Sequence, residues 1–80
     1  MQGRPPRFTR HARNRMRWYK VSGDEVAKCL EEPQWTTPGA KDTTHAWRAR
    51  GEQFLRVTFV EERGIIWVIT AVIKERPPGR

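Results

Sequence analysis

The chain has 80 residues, enough for one domain with a small core, because a chain of this length buries only about 60% of its unfolded surface. Sixteen Lys and Arg against nine Asp and Glu give a formal net charge of +7, which favours a polyanionic partner, RNA or, as the alternative, DNA. The single cysteine, Cys29, excludes an internal disulfide and is typical of a reducing compartment, so a cytoplasmic protein is expected.

Several function classes lack their sequence signatures. The longest apolar run, residues 65–73, is far shorter than the roughly 20 residues of a membrane-spanning helix, so no membrane partner is expected. One Cys and two separated His do not form a zinc motif, and no glycine-rich phosphate loop or nucleophile elbow is present. We therefore expect no metal, no cofactor and no enzyme of small-molecule metabolism.

Both ends of the chain carry paired prolines beside arginine, at residues 4–6 and 76–78. Proline lacks a backbone donor and resists helices and sheets. The sequence therefore predicts a flexible basic arm over residues 1–7, a single domain over residues 8–74 and a flexible tail over residues 75–80.

The first predicted helix begins after Thr9, a good N-cap, and contains no breaker through Trp18. Ala12, Met16 and Tyr19 recur at helical spacing and form its predicted core stripe. A separate stripe is cationic, and we expect it to lie in solvent and contact nucleic acid. Its members are Arg10, Arg13 and Arg17.

The second predicted helix begins at a capping box, in which Ser22 accepts from the backbone and Glu25 reaches back to the Ser22 amide. Val21 and Val26 occupy the positions of a hydrophobic staple. Pro33 ends this helix. Residues 33–43 are then expected to form a loop.

Three strands are predicted after this loop, at residues 44–48, 52–61 and 65–74. Short connections favour antiparallel neighbours. The predicted fold is α+β, with two N-terminal helices packed on one face of a three- to four-stranded antiparallel meander.

The strand register depends on two turns, Ala49-Arg50-Gly51 and Glu62-Arg63-Gly64. Three-residue loops closed by a left-handed glycine would place Arg56 opposite Thr70. Two-residue loops would reverse the parity and bring Trp67 to the side of Arg56. We favour the three-residue register, because it separates polar from apolar side chains more cleanly.

In the favoured register, the uncovered sheet face is basic and carries an aromatic ring, a plausible RNA platform. Trp47 and Trp67 are expected beneath the helices, with His45 on that same covered side. The expected nucleic-acid contacts on the uncovered face are Arg48, Phe54 and Thr58.

Three short motifs in this order resemble a family of small bacterial and archaeal proteins known as a domain of unknown function. That family is similar to the RelE-like toxins of the barnase–EndoU–colicin–RelE class. The motifs are His11-Ala12-x-x-Arg15-Met16, Val21-Ser22-x-x-Glu25-Val26-x-x-x-Leu30 and Ile69-Thr70-Ala71.

The resemblance implies a RelE-like RNA-binding protein and a metal-independent endoribonuclease, the toxin of a toxin–antitoxin pair with an acidic antitoxin. In that interpretation His11 is the acid or base, Arg15 and Arg56 stabilise phosphate charge, and Thr70 orients a phosphate oxygen or the imidazole. Tyr19 departs from the family, because relatives often carry Arg at this position.

Two other functions fit the same sequence. The chain could be a non-catalytic nucleic-acid-binding module, or a protein-interaction domain whose last strand offers an open sheet edge. An exposed edge is compatible with a monomer or a weak homodimer.

Overall fold

Two helices and a five-stranded mixed sheet form the fold, described over residues 5–78 by a computed structural model. The elements in chain order are β1 (Arg7–Phe8), α1 (Arg10–Tyr19), α2 (Gly23–Glu31), β2 (Trp35–Pro38), β3 (Thr44–Arg50), β4 (Gln53–Glu62) and β5 (Ile65–Lys74).

The strands lie in the order β1-β5-β4-β3-β2. β1 runs parallel to β5, and the other neighbours are antiparallel. The α+β class is confirmed, but the sheet has five strands where three or four antiparallel strands were expected. The added strands are short segments at the two edges, β1 and β2.

The expected loop over residues 33–43 was wrong for the four residues of β2. Trp35, Thr36 and Thr37 favour extended backbone, and Pro38 ends the strand at a sheet edge, where its missing donor is tolerated. The prediction of a flexible arm over residues 1–7 was wrong at Arg7, because Arg7 pairs with Trp67 of β5. Residues 1–4 of that arm and residues 79–80 of the tail lie outside the described residues.

The α1 helix begins as predicted. The Thr9 hydroxyl accepts from the Ala12 amide at 3.1 Å and donates to the Ile69 carbonyl at 3.1 Å, so the cap also fastens the helix to β5. Ala12 is fully buried, and Met16 and Tyr19 pack against the core. The predicted core stripe of this helix is confirmed.

The α2 helix is capped by Ser22, whose hydroxyl accepts from the Glu25 amide at 3.1 Å. The Glu25 carboxylate accepts from Arg50 Nε of β3 at 2.5 Å, instead of serving the second half of the expected capping box. Val21 and Val26 are buried, and the helix ends at Glu31 ahead of Pro33.

Both helices pack on one face of the sheet and enclose a small core. Within it, Cys29 Sγ lies 3.5 Å from the Ala46 carbonyl oxygen, and burial raises the pKa of this thiol to about 11. The cysteine is therefore a protonated core residue. The buried core consists of Ala12, Val21, Val26, Cys29, Ala46, Leu55, Val57, Val68 and Ala71.

Both hairpin loops have two residues, so the three-residue register was wrong. Arg50 pairs with Gln53 around Gly51, which has φ 64°. Glu62 pairs with Ile65 around Arg63 and Gly64, which have φ 55° and 78°. Tight two-residue turns with positive φ match the right-handed twist of the strands.

The shorter first loop reverses the faces of β3. Arg48 lies on the helix-covered face, where its Nη1 donates to the Glu32 carbonyl at 2.6 Å at the end of α2. His45 and Trp47 lie on the opposite face, where they pair with Thr58 and Arg56. The expectation that Arg48 is on the uncovered face and Trp47 beneath the helices was wrong.

A β-bulge divides β5 into two halves of opposite parity. Thr58 pairs with Thr70 while Phe59 pairs with Val68, so Ile69 has no partner on β4. The bulge adds one unpaired residue to β5 and so cancels the parity change that the shorter second loop causes. Each of residues 70–74 therefore lies on the face predicted for it. Trp67, before the bulge, faces away from the helices, contrary to the prediction.

Candidate nucleic-acid interface

The excess positive charge is confined to the first quarter of the chain. Residues 1–20 contain seven Lys or Arg and no Asp or Glu, whereas residues 21–80 contain nine of each. Four of the seven cations are arginines of α1, and Arg7 of β1 directly precedes that helix. Any electrostatic attraction of a polyanion is therefore strongest at α1.

The solvent side of α1 forms the first surface, which we term the α1 cationic face. Within residues 5–78 the ion pairs are Lys28–Glu32 and Arg50–Glu25, so no described carboxylate lies within 4.0 Å of an α1 guanidinium. Trp18 is 74% exposed beside these arginines. Exposed members of the α1 cationic face are Arg10, His11, Arg13, Arg15, Arg17 and Trp18.

The opposite side of the sheet forms the second surface, which we term the open sheet face. No helix or strand of residues 5–78 covers it, because α1 and α2 both pack on the other face. The strand register arranges its side chains in rows. One row contains Trp35, Trp47, Arg56 and Val72, and the adjacent row contains Thr37, His45, Thr58 and Thr70.

Arg56 is held against an aromatic ring. Its guanidinium carbon lies 5.9 Å from the centre of the Trp47 ring, within reach of a cation–π interaction. Its Nε is buried without a hydrogen-bond partner, and no described carboxylate lies within 4.0 Å. Burial lowers the pKa of Arg56 from its usual value, although an arginine remains protonated at neutral pH.

The polar row next to Arg56 contains a second group without a partner. His45 Nδ1 lies 2.7 Å from Thr58 Oγ1, and Trp47 Nε1 donates to Thr37 Oγ1 at 2.9 Å. Thr70 Oγ1 is buried and has no hydrogen-bond partner. The open sheet face therefore holds two unsatisfied donors one row apart, on Arg56 and Thr70.

His45 is a neutral hydrogen-bonding group at pH 7. Burial lowers the pKa of its imidazole below the usual 6.5, and the positive charges of Arg56 and Lys74 lower it further. The charge on this part of the face therefore comes from Arg56 and Lys74.

The sheet separates the four predicted catalytic residues into two pairs. His11 and Arg15 are exposed on α1, in the helix layer, whereas Arg56 and Thr70 lie on the open sheet face. The structure does not bring His11 and Arg56 together. Arg56 pairs with Val72 and not with Thr70, although both side chains share the open sheet face.

The predicted nucleic-acid contacts are also divided between the two surfaces. Arg10, Arg13 and Arg17 lie on the α1 cationic face. Phe54 and Thr58 lie on the open sheet face, where Phe54 contacts Trp35 with ring centroids 5.8 Å apart. Arg48 lies on neither surface, because it caps the end of α2.

Sequence reasoning missed His45, Trp47 and Trp67 as members of the open sheet face. It also missed Arg7, whose guanidinium carbon lies 5.9 Å from the centre of the Trp67 ring. The available signal was the glycine of each turn, Gly51 and Gly64, which favours a short hairpin loop but fits loops of two or of three residues.

Comparisons with protein-family models, with curated proteins and with solved structures found no match to this chain. Within residues 5–78, no group of three or more His, Cys, Asp or Glu is placed to hold a metal ion. The helices of this part of the chain are too short and polar to cross a membrane. Functional inference therefore depends on the charge and geometry of the two surfaces.

Proposed function

We propose that this protein binds RNA through the α1 cationic face, as a RelE-like RNA-binding protein. One observation carries the proposal: the whole net charge of +7 comes from residues 1–20, and the α1 arginines have no described carboxylate partner. Arginine is suited to phosphate because its planar guanidinium donates two parallel hydrogen bonds.

The exposed indole of Trp18 supports a nucleic-acid partner over a simple polyanion. An exposed tryptophan beside guanidinium groups can stack on a base while the arginines bind adjacent phosphates. The choice of RNA over DNA rests on the resemblance to RelE-like toxins. The helix pair packed on one face of a sheet is compatible with that resemblance.

A charge-matched pair of variants tests the proposal. The double variant Arg13→Gln/Arg17→Gln removes two charges from the α1 cationic face. The control Lys28→Gln/Lys41→Gln removes two charges from exposed positions on α2 and the β2–β3 loop. Binding is measured by fluorescence anisotropy with 2′-O-methylated RNA, which cannot be cleaved through its 2′-hydroxyl.

We expect the α1 variant to weaken RNA binding by about tenfold or more, because two phosphate contacts are lost, and the control by no more than about threefold. Equal losses in the two variants would show that binding responds to net charge alone and would contradict the proposed surface. An acidic antitoxin-like protein is the other partner attracted to this face, and it would compete with RNA in the same assay.

Metal-independent RNA cleavage is the second candidate function. His45 is a better candidate base for it than the expected His11, because His45 lies on the same sheet face as Arg56. A neutral imidazole can accept the 2′-hydroxyl proton while the 2′-oxygen attacks phosphorus to form a 2′,3′-cyclic phosphate, and the displaced 5′-oxygen takes a proton from the imidazolium or from water. Arg56, on the same face, would stabilise the charge of the phosphorane.

An RNA cleavage assay tests this function. RNA is incubated in the presence of EDTA with the purified wild type, with His45→Ala and with His11→Ala. Cleavage that is lost only in His45→Ala would support the function.

A further inference from the structure

The open sheet face contains groups that RNA binding by α1 does not use. It combines aromatic rings, arginines and two buried polar atoms without partners. We propose that this face binds unpaired nucleotides, with a phosphate near Arg56 and Thr70 and bases stacked on the aromatic rings. This inference rests on the proposed RNA-binding function and names the form of RNA that the protein prefers.

The two unsatisfied donors favour an anionic ligand. Buried polar atoms in folded proteins almost always have partners, so Arg56 Nε and Thr70 Oγ1 require an explanation. The Arg56 side chain is partly exposed, so a phosphate beside it can supply acceptor oxygens to the guanidinium, and it reaches the two covered atoms when the Arg56 and Thr70 side chains turn toward solvent. An apolar protein surface on the same face would offer neither group an acceptor.

The charges of the face also match a phosphate. Arg56 and Lys74 project from neighbouring strands, and Arg7 lies over Trp67 at the β1 edge. Among the strand residues, only Glu62 places a carboxylate on this face, at the tip of the β4–β5 hairpin. A phosphate beside Arg56 therefore meets no acidic strand residue.

Aromatic rings lie on both sides of Arg56 along the direction of β4. Trp35 is 40% exposed and packs on Phe54 at one end of the face. Trp67 lies at the other end, opposite Val60 of β4. Phe54 and Val60 are six residues apart on one strand, so the two stacking surfaces are separated by about 20 Å.

This arrangement selects unpaired nucleotides. Bases in a duplex are stacked on each other, and only splayed bases can lie flat on a sheet of aromatic side chains. Stacking tolerates any base, so the face is expected to distinguish single-stranded from double-stranded RNA and not one sequence from another.

Binding of two RNAs tests this inference. The ligands are a 2′-O-methyl oligouridylate of about 12 nucleotides and a duplex of the same length. The variants are Arg56→Gln and Thr70→Val, with Lys28→Gln as the single-charge control on the other side of the sheet. Near-ultraviolet circular dichroism confirms that each variant keeps its fold.

We expect the wild type to bind the single strand about tenfold more tightly than the duplex, because at least one base stacks. Arg56→Gln and Thr70→Val each remove a phosphate contact of the bound single strand, so each should lower single-strand affinity by about threefold or more while duplex affinity changes by less than about twofold. Unchanged single-strand affinity in both variants would overturn the inference.

Failure of this inference can be distinguished from failure of the proposed function. If the α1 variant loses RNA affinity while Arg56→Gln and Thr70→Val bind as the wild type does, only this inference is wrong. If the α1 variant binds both RNAs as tightly as the wild type, the proposed function is wrong. A concentration-dependent dimer that Trp67→Ala abolishes would show that a second copy covers the face, and would also overturn the inference.

Discussion

Trp47 and Arg56 face each other across β3 and β4, with the guanidinium carbon 5.9 Å from the centre of the indole ring. The indole N–H donates to Thr37 of β2, so the ring is fixed from both neighbouring strands. Trp47 is only 6% exposed although neither α1 nor α2 covers its face. The side chains of the sheet itself therefore bury this indole and hold Arg56 in place.

The hydrogen bond of Trp47 should contribute to stability. Trp47→Phe removes the indole N–H and part of the ring, which leaves Thr37 Oγ1 without its donor. We expect the free energy of unfolding to fall by about 1–3 kcal/mol in urea denaturation. Trp18→Phe, at a 74% exposed position, is the control and should change it by less than about 0.5 kcal/mol. Equal stability of the two variants would show that the Trp47 contacts contribute nothing.

The unsatisfied hydroxyl of Thr70 should cost stability. Thr70→Val keeps the shape of the side chain and removes a buried polar group without a partner, so the free energy of unfolding should rise by about 1 kcal/mol. Thr58→Val is the matched control, because it removes a hydroxyl that bonds to His45 at 2.7 Å, and it should lower stability by about 1 kcal/mol. A lower melting temperature for Thr70→Val than for the wild type would show that the Thr70 hydroxyl has a hydrogen-bond partner, contrary to the structure.

Arg50 joins β3 to the junction of the two helices. Its Nε donates to Glu25 at 2.5 Å and its Nη2 donates to the Lys20 carbonyl at 2.9 Å. Since the side chain is one-third exposed, we expect Arg50→Gln to cost only about 1 kcal/mol in denaturant unfolding. Lys28→Gln breaks an exposed helical pair and should cost less than about 0.5 kcal/mol.

Stability should fall on mild acidification because of His45. Its pKa is lowered in the folded state by burial and by the nearby cations, so the unfolded chain takes up the proton first. Stability is therefore lost as the pH drops from neutrality through the usual histidine pKa of 6.5 toward the lower folded-state pKa. His45→Gln should flatten the change in unfolding midpoint between about pH 7 and pH 5.5 relative to the wild type. A pH profile of His45→Gln identical to that of the wild type would refute this assignment.

Local signals predicted the helices correctly. Thr9 and Ser22 cap the two helices through their own backbone neighbours, and these contacts involve residues only three positions apart. The sheet register could not be predicted in the same way. A change of one residue in loop length transfers every side chain of a strand to the other face, and the sequence of the Arg-Gly turns allows both lengths.

The candidate site was predicted in part for the same reason. Arg56 and Thr58 lie on the uncovered face of β4 as predicted, and Thr70 of β5 shares that face because the bulge at Ile69 cancels the error in the second turn. His45 and Trp47 were assigned to the wrong face because nothing cancels the error in the first turn. The pairing of Arg7 with β5 was also missed, because two residues are too few for a periodic pattern.

The salt dependence of RNA affinity tests the α1 cationic face most directly. Each phosphate contact contributes about 0.7 to the slope of log affinity against log salt for a single strand. We expect Arg13→Gln/Arg17→Gln to reduce the slope by about 1.4, and Lys28→Gln/Lys41→Gln to leave it within about 0.5 of the wild type. The same slope in the wild type and both double variants would contradict RNA binding by this helix.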